Sequence, residues 1–157
     1  MQQQILVVGI GNTLRSDDGV GVHVVRRLEE EGLPQGVEAE AIESSLISLL
    51  WRAREYNRVV VVDAIKPQGS PGKVHRFDQH TLTLASPHLL SLHQMSILDV
   101  AALIKMQDVS TEFIFIGVEA KTIEWGELLS PVVAQAIPEV LRQLRMEIDP
   151  ANIQCSS

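Results

Sequence analysis

The sequence predicts an α/β fold, with a three-layer α/β/α sandwich around a mostly parallel, twisted central sheet of about five strands. Two observations lead to this prediction. Continuous apolar runs, which are typical of strands covered on both faces, occur at 5–8, 58–63 and 112–117. Between and after these runs lie segments whose apolar residues recur at helical spacing. Strands and helices therefore alternate along the chain, as they do in proteins with parallel sheets.

The first half of the chain can be assigned element by element. The strand at 5–8 is followed by a helix over 20–28, whose apolar residues share one side. Alternation of apolar and acidic residues predicts a second strand at 37–42, and another helix follows over 46–54. The four consecutive valines within 58–63 suit only a central strand that is covered on both faces.

The second half continues the same alternation. The segment 73–77 is predicted as an edge strand, and 78–91 as an irregular loop that is long enough to be functional. A helix over 95–106 then leads to a buried strand at 112–117. This strand completes the set of about five on which the predicted sheet depends.

The chain ends in one more predicted helix. Ser130 is expected to cap it with its side chain, and Pro131 occupies its first position. The helix extends to Arg145, with a kink expected at Pro138. From about residue 149 the sequence resembles a short polar tail. No repeat, linker or low-complexity segment divides the sequence, so a single domain over 1–157 is predicted.

Composition excludes several classes of protein. The 157 residues carry a formal net charge of −7 and no basic stripe, so neither nucleic acid nor an anionic membrane is an expected partner. No apolar stretch is long enough for a signal peptide or a membrane span. The single cysteine, Cys155, excludes a disulfide framework and fits a reducing compartment. We therefore expect a soluble, cytoplasmic protein and, without a long exposed apolar helix, a monomer.

Acidic residues follow two of the predicted strands. Asp17 and Asp18 come between the first strand and the first helix, and Asp63 ends the four-valine strand. A simple interpretation is that the first two cap the helix and the third binds loop amides. However, groups just beyond the carboxyl ends of parallel strands gather in one crevice. Asp18 and Asp63 are therefore expected to meet at that edge if their strands are neighbours.

Histidine supplies a third candidate ligand. His88 and His93 lie between the edge strand and the later helix, and either could instead be a cap or a surface residue. The other histidines lie near no carboxylate pattern and are given no role: His23, His75 and His80. Two carboxylates and one imidazole form a site suited to Ni, Zn, Fe(II) or Mn, with open positions for an outside ligand.

Nucleotide binding is a disfavoured alternative for the first turn. Gly9 and Gly11 follow the first strand, but Leu14 stands where the dinucleotide fingerprint needs a third glycine. Asp17 and Asp18 would also repel a pyrophosphate at the helix N-terminus. The sequence contains neither a G-x-x-x-x-G-K-[ST] nor a G-x-S-x-G motif, so neither a P-loop nor a serine nucleophile elbow is predicted.

Several blocks of sequence occur in the order and spacing of one known family. They are Leu6-Val-Val-Gly9-Ile-Gly-Asn12-Thr-Leu-Arg-Ser-Asp17-Asp18-Gly19-Val-Gly21, Val61-Val-Asp63-Ala-Ile, Ser91-Leu-His93-Gln-Met-Ser-Ile-Leu-Asp99-Val, Ile116-Gly-Val-Glu119, Ile123-Glu-Trp-Gly126 and Leu129-Ser-Pro131. Through these blocks the chain resembles the nickel–iron hydrogenase maturation endopeptidases. Those proteases remove a C-terminal peptide from the precursor of the hydrogenase large subunit. The resemblance therefore implies an aspartyl-type endopeptidase, a hydrolase that activates another enzyme.

The resemblance also implies roles for individual residues. Asp18 matches the second acidic residue of the opening motif, Asp63 the acidic residue after the central strand, and His93 the histidine that opens the third helix. These three are implied to contact nickel that is already installed in the precursor, so the protease holds no tightly bound metal of its own. We hypothesise that Asp18 or Asp63 is also the general base for water. His88 stands in a similar local context and remains an alternative to His93.

Two questions stay open from the sequence. The segment 41–46 has the sequence A-I-E-S-S-L where the family often has an Asp-Gly-Gly-Thr-like loop, so the class of hydrogenase is not indicated. The same three ligands would also suit a nickel carrier or sensor without proteolysis. A carrier would hold nickel tightly by itself and leave its partner's chain length unchanged, whereas a protease would shorten the partner.

Overall fold

In the described part of the chain, five strands form one sheet with helices on both faces. The computed structural model describes residues 4–43, 47–78, 81 and 110–153. The strands are β1 (Ile5–Ile10), β2 (Val37–Ile42), β3 (Arg58–Ile65), β4 (Val74–Asp78) and β5 (Glu112–Glu119). The helices, numbered over the described residues, are α1 (Val20–Glu31), α2 (Ile47–Arg52), α3 (Pro131–Ala134), α4 (Ile137–Ile148) and α5 (Pro150–Ile153). Two 3-10 turns lie at Ser16–Gly19 and Ala53–Glu55.

The strand order is β2-β1-β3-β5-β4, so β3 is the central strand. The pairs β1–β2, β1–β3 and β3–β5 are parallel, and only β4 runs antiparallel to its neighbour. All eight residues of β3 are buried. These findings confirm the predicted mostly parallel sheet, the central position of the four-valine strand and the edge position of the strand near 73–77.

Alternate residues of the central strands pack into two separate apolar clusters, one on each face of the sheet. On one face, the side chains of Val60 and Val62 pack with α1 and α4. On the other face, Val59 and Val61 pack with α2 and the 3-10 turn that follows it. Because apolar helices cover both faces, the predicted three-layer sandwich is confirmed. Burial on both faces explains why the strands have continuous apolar sequences.

Two glycines allow α1 to approach the sheet unusually closely. A Cβ atom added to Gly9 in β1 would lie 2.1 Å from the carbonyl oxygen of Gly21. A Cβ atom added to Gly21 would lie 2.3 Å from the carbonyl oxygen of Val62 in β3. Real Cβ atoms do not occur at such distances, so any side chain here would push the helix away from the sheet. The two glycines therefore fix the start of α1 against the carboxyl ends of β1 and β3.

The last predicted helix differs from the structure in two ways. It is interrupted at residues 135–136, so that Pro138 lies in the first turn of α4 and does not kink a longer helix. Proline is accommodated there because the amides of a first turn have no partner within the helix. Ser130 is at the N-cap position of α3, but its side chain makes no capping bond. Its hydroxyl donates instead to the carboxylate of Asp17.

Some expectations fall outside the described residues. These include the helix predicted over 95–106 and nearly all of the loop predicted over 78–91. Beyond α4, the short helix α5 begins in the segment predicted as a polar tail. Among the described residues, no helix is both long enough and apolar enough to span a membrane.

Candidate functional site

The first turn of the chain, between β1 and α1, carries two adjacent aspartates with different surroundings. Gly11 turns the backbone with φ +151°, and a Cβ atom there would lie 2.0 Å from the carbonyl oxygen of Asp18. The 3-10 turn Ser16–Gly19 follows, and all four of its residues are buried. The residue that precedes α1 is Gly19, and no side chain caps this helix. The interpretation that Asp17 and Asp18 cap the helix is therefore wrong.

Asp17 is completely buried and joins the turn to a distant loop. Its Oδ2 accepts bonds from the amides of Lys121 at 2.9 Å and Thr122 at 3.0 Å. The amide of Ser130 donates to Oδ1 at 2.7 Å, and the Ser130 hydroxyl donates to Oδ2 at 2.8 Å. Both carboxylate oxygens thus hold main-chain amides of the loop 120–130. Asp17 is a structural anchor for the turn that carries its neighbour.

Asp18 is only 7% exposed and is held by the start of its own turn. Its Oδ2 accepts a hydrogen bond from the amide of Asn12 at 3.0 Å. The Asn12 side chain in turn accepts a bond from the amide of Leu14 at 2.9 Å, which stabilises the same segment. The bond from a main-chain amide orients the Asp18 carboxylate.

Asp63 lies within β3, which continues two residues beyond it to Ile65. The prediction that this aspartate ends the strand is wrong, because β3 remains paired with β5 through Ile65 and Glu119. Asp63 is 4% exposed, and its Oδ1 accepts a bond from the amide of Ala64 at 2.8 Å. It is the register partner of Gly117 in β5, a position without a side chain. Asp63 is thus a buried carboxylate near the carboxyl end of the central strand.

The structure brings the Asp18 turn and the end of β3 to the same edge of the sheet. β1 and β3 are parallel neighbours, with Gly9 opposite Val62. The 3-10 turn that contains Asp18 packs against β3. His93 and His88 lie outside the described residues. Within the described ranges, no group of three or more His, Cys, Asp or Glu side chains is arranged to hold a metal ion.

A pair formed by the partly exposed His75 and the buried Glu119, near this edge, was missed from the sequence. Glu119, at the end of β5, has its Oε2 2.7 Å from Nε2 of His75 in β4. Its Oε1 accepts bonds from the amides of Gln68 and Ser70, in the loop that follows β3. Burial raises the pKa of Glu119, but the bonds from His75 and the two amides outweigh it, and the net shift is downward. The interpretation that His75 lies near no carboxylate is therefore wrong.

The segment that departs from the resembled family pattern also touches the first turn. Oε1 of Glu43 accepts bonds from the amide of Thr13 at 3.2 Å and from its hydroxyl at 2.6 Å. These two bonds from Thr13 lower the pKa of Glu43. Residues 44–46 lie outside the described part of the chain. Glu43 therefore connects the end of β2 to the turn that carries Asp18.

Comparisons with known proteins agree with each other. A family profile described as "Hydrogenase maturation protease" matches residues 22–147. The hydrogenase expression/formation protein HoxM of Azotobacter vinelandii is 34% identical over 140 residues, covering 85% of this chain and 67% of that protein. The hydrogenase 2 maturation protease of Escherichia coli is 25% identical over 154 residues, covering 96% of this chain and 94% of that protein.

Solved structures give the same result. The hydrogenase maturating endopeptidase HybD from Escherichia coli superposes with a TM-score of 0.81 at 26% sequence identity, covering 94% of this chain and 93% of that one. HybD from Thermococcus kodakarensis, described as a [NiFe] hydrogenase maturation protease, superposes with a TM-score of 0.75 at 26% identity, covering 93% and 99% of the two chains. The similarity therefore extends over nearly the whole of each chain.

Proposed function

The chain belongs to the hydrogenase maturation protease family, and from that premise we propose that Asp18, Asp63 and His93 form its working site. The protein is an endopeptidase that processes the precursor of a hydrogenase large subunit. In our proposal, the three side chains bind the nickel that the precursor already contains. The metal is thus part of the substrate, and the protease holds none tightly by itself.

One observation carries the proposal: two buried carboxylates lie at one edge of the sheet, Asp18 in the turn that follows β1 and Asp63 near the end of the neighbouring parallel strand β3. Crevices at such edges are the usual binding sites of open parallel sheets. Because both carboxylates lie at such an edge, we assign them a role beyond packing.

The donor atoms suit the proposed metal. Two carboxylate oxygens and an imidazole nitrogen are ligands that nickel accepts, and they leave positions open for groups of the substrate. The amides of Asn12 and Ala64 orient the two carboxylates, as supporting groups around metal ligands commonly do. His93 enters from the family resemblance alone, and His88 remains the alternative imidazole.

The chain's own residues then have two tasks in cleavage. The ligands hold the precursor so that its scissile peptide bond lies across the carboxyl edge of the sheet. Nickel in the precursor would serve there as a template and as a Lewis acid towards the scissile carbonyl. One carboxylate, of Asp18 or Asp63, takes a proton from the attacking water as general base. The water oxygen bonds to the carbonyl carbon, the C–N bond breaks, and the proton passes to the departing amine.

The proposal explains how the enzyme would select a precursor that already contains nickel. The contacts of the three ligands with nickel stabilise the transition state, and they can form only when the precursor contains nickel. A precursor without nickel lacks these contacts and should be left uncut. We further propose that the protein acts in the cytoplasm as a monomer. The single Cys155 fits a reducing compartment and supports the cytoplasmic setting.

Intact mass spectrometry of a nickel-loaded large-subunit precursor from the same organism tests the proposal. We expect the wild-type protein to release a C-terminal peptide, and expect no release from a nickel-free precursor or with His93→Ala. His88→Ala is the matched control and should cleave normally. If His88→Ala is inactive and His93→Ala is active, the imidazole is wrongly assigned. If the wild-type protein binds nickel tightly and leaves every precursor intact, a carrier function replaces the proposal.

A further inference from the structure

Two loops at the carboxyl edge of the sheet are bonded together along their backbones. They are the β1–α1 turn and the loop 120–130, which we call the loop pair. The amide of Gly126 donates to the carbonyl of Leu14 at 2.9 Å, and the amide of Ser16 donates to the carbonyl of Gly126 at 2.8 Å. Asp17 adds its bonds to Lys121, Thr122 and Ser130. The loop pair is thus well ordered by its own contacts.

The loop pair exposes large apolar side chains. Leu14 is 52% exposed, Ile123 38%, Trp125 77% and Leu128 83%. In the described part of the chain, the other large apolar side chains that are exposed are Trp51 and Met146, which lie on α2 and α4. Four of these six side chains therefore belong to the loop pair. Such concentration on a well-ordered surface is typical of a protein-binding site.

Trp125 is held in a position that suits binding. The guanidinium carbon of Arg15 lies 5.5 Å from the centre of its ring, and Nε of Arg15 donates to the carbonyl of Ile123 at 3.2 Å. A tryptophan that is already oriented loses little conformational freedom when it is covered. Tryptophan and arginine are also the residue types that most often dominate binding energy at interfaces.

Position identifies the occupant. The exposed charges of the loop pair are two of each sign, so a complementary segment is mainly apolar: Arg15, Lys121, Glu124 and Glu127. The loop pair contains Asp18 and begins where β5 ends. A protein substrate whose peptide bond reaches Asp18 must therefore lie beside this surface.

We propose that the loop pair is the docking surface for the protein substrate, and that it binds an apolar segment of the precursor outside the peptide that is removed. The inference rests on the proposed function, because that function defines the substrate. Docking here supplies binding energy that does not depend on nickel. The metal then decides whether a docked precursor is cut.

The test compares Trp125→Ser/Leu128→Ser with the wild type. With the nickel-loaded precursor, we expect the double variant to raise KM by about tenfold or more while kcat changes little. With the nickel-free precursor, which is not cut, we expect the dissociation constant to rise by a similar factor. Trp51→Ser, which removes an equally exposed tryptophan from α2, is the matched control and should change neither value. Urea unfolding should give the same midpoint for all three proteins.

The outcomes separate the two proposals. If the double variant binds the nickel-free precursor as tightly as the wild type does, the docking inference is wrong, whatever happens in cleavage. If the wild type binds the precursor and the double variant does not, docking stands even where no cleavage occurs, and the proposed function alone fails. Concentration-dependent dimerisation of the wild type that the double variant abolishes would assign the surface to a second copy and overturn the inference.

Discussion

The two ends of the sheet stabilise buried charge in different ways. At the amino end, Arg58 begins β3 and is paired with Glu112 at 2.9 Å and with Glu147 of α4 at 3.2 Å. Arg76 of β4 also binds Glu147. At the carboxyl end, Asp17 accepts bonds from three main-chain amides and one hydroxyl, and Asp63 accepts one from an amide. The amino end balances charge with charge, whereas the carboxyl end, apart from the contact of Glu119 with His75, holds these carboxylates with main-chain dipoles.

The difference indicates which end can do chemistry. In an ion pair the two partners neutralise each other's charge, and the pair contributes mainly to specifying the fold. A carboxylate held by amides keeps its negative charge and a fixed direction, both of which a cation from outside can use. Substitution of the ion-paired residues at the amino end should therefore affect mainly stability, whereas substitution of Asp18 or Asp63 should affect mainly cleavage.

The largest effect is expected from Asp63→Asn. This change keeps the shape of the side chain but removes the charge that binds metal or accepts a proton, so kcat/KM should fall by about 10²–10⁴-fold. Asp18→Asn should also reduce cleavage, with the larger loss of kcat marking the general base. Cleavage is followed by mass spectrometry, with Asp149→Asn on the surface as the control. A normal rate for Asp63→Asn would exclude it from an essential role.

A loss of stability without loss of chemistry is expected from Arg58→Met. The change removes a buried cation, so Glu112 and one carboxylate oxygen of Glu147 lose their partner. This loss should cost about 3 kcal/mol of unfolding free energy. Urea unfolding measures this value. Arg142→Met, which removes the exposed pair with Glu139, is the control and should have a much smaller effect. Cleavage per folded molecule should match the wild type, and a slower rate would mean that the two ends are coupled.

Asp17→Asn tests whether the dipole-held carboxylates are also structural. Each oxygen of Asp17 accepts at least one main-chain amide, so neither orientation of an asparagine side chain can satisfy all donors. The mismatch should cost about 2 kcal/mol of unfolding free energy. Ser130→Ala removes one bond and should cost about 1 kcal/mol. Equal stability of Asp17→Asn and the wild type would mean that these amides do not need the charge.

The smallest effect is expected from Glu119→Gln and depends on pH. Because the pKa of Glu119 is lowered from 4.5 in the folded protein, its carboxylate contributes stability that is present above that value. The contribution is lost as pH falls through the folded pKa. The stability of the wild type relative to Glu119→Gln should therefore decrease as the pH is lowered from neutral to below the ordinary glutamate pKa of 4.5. Unfolding at several pH values measures this, with Glu30→Gln on the exposed face of α1 as the control.

The fold could be predicted from the sequence because its signals are local. Strands covered on both faces must be apolar throughout, so the four valines of 58–63 already identify the central strand. The start of the last helical segment at Pro131 was also predicted, whereas its interruption at residues 135–136 and the missing side-chain cap were not. Ser130 is of a residue type that often caps helices. Its hydroxyl instead donates a hydrogen bond to Asp17, which lies near the other end of the chain.

The candidate site was predictable only where topology follows from the strand pattern. Asp18 and Asp63 could be placed at one edge because parallel strands end together. Their different neighbours could not be foreseen, since adjacent aspartates look alike until the loop 120–130 folds onto one of them. The pair of His75 and Glu119 joins residues 44 positions apart through an antiparallel register that composition does not reveal.

The bonds of Asp17 also determine when this enzyme can be completed during its own synthesis. The amides that hold Asp17 come from positions 104 to 113 residues later in the chain. A ribosome makes the chain from its N-terminus, so the turn that carries Asp18 cannot reach its final form before Ser130 has emerged. The first strand is synthesised early, but the turn beside it reaches its final form only after the last third of the protein has been synthesised.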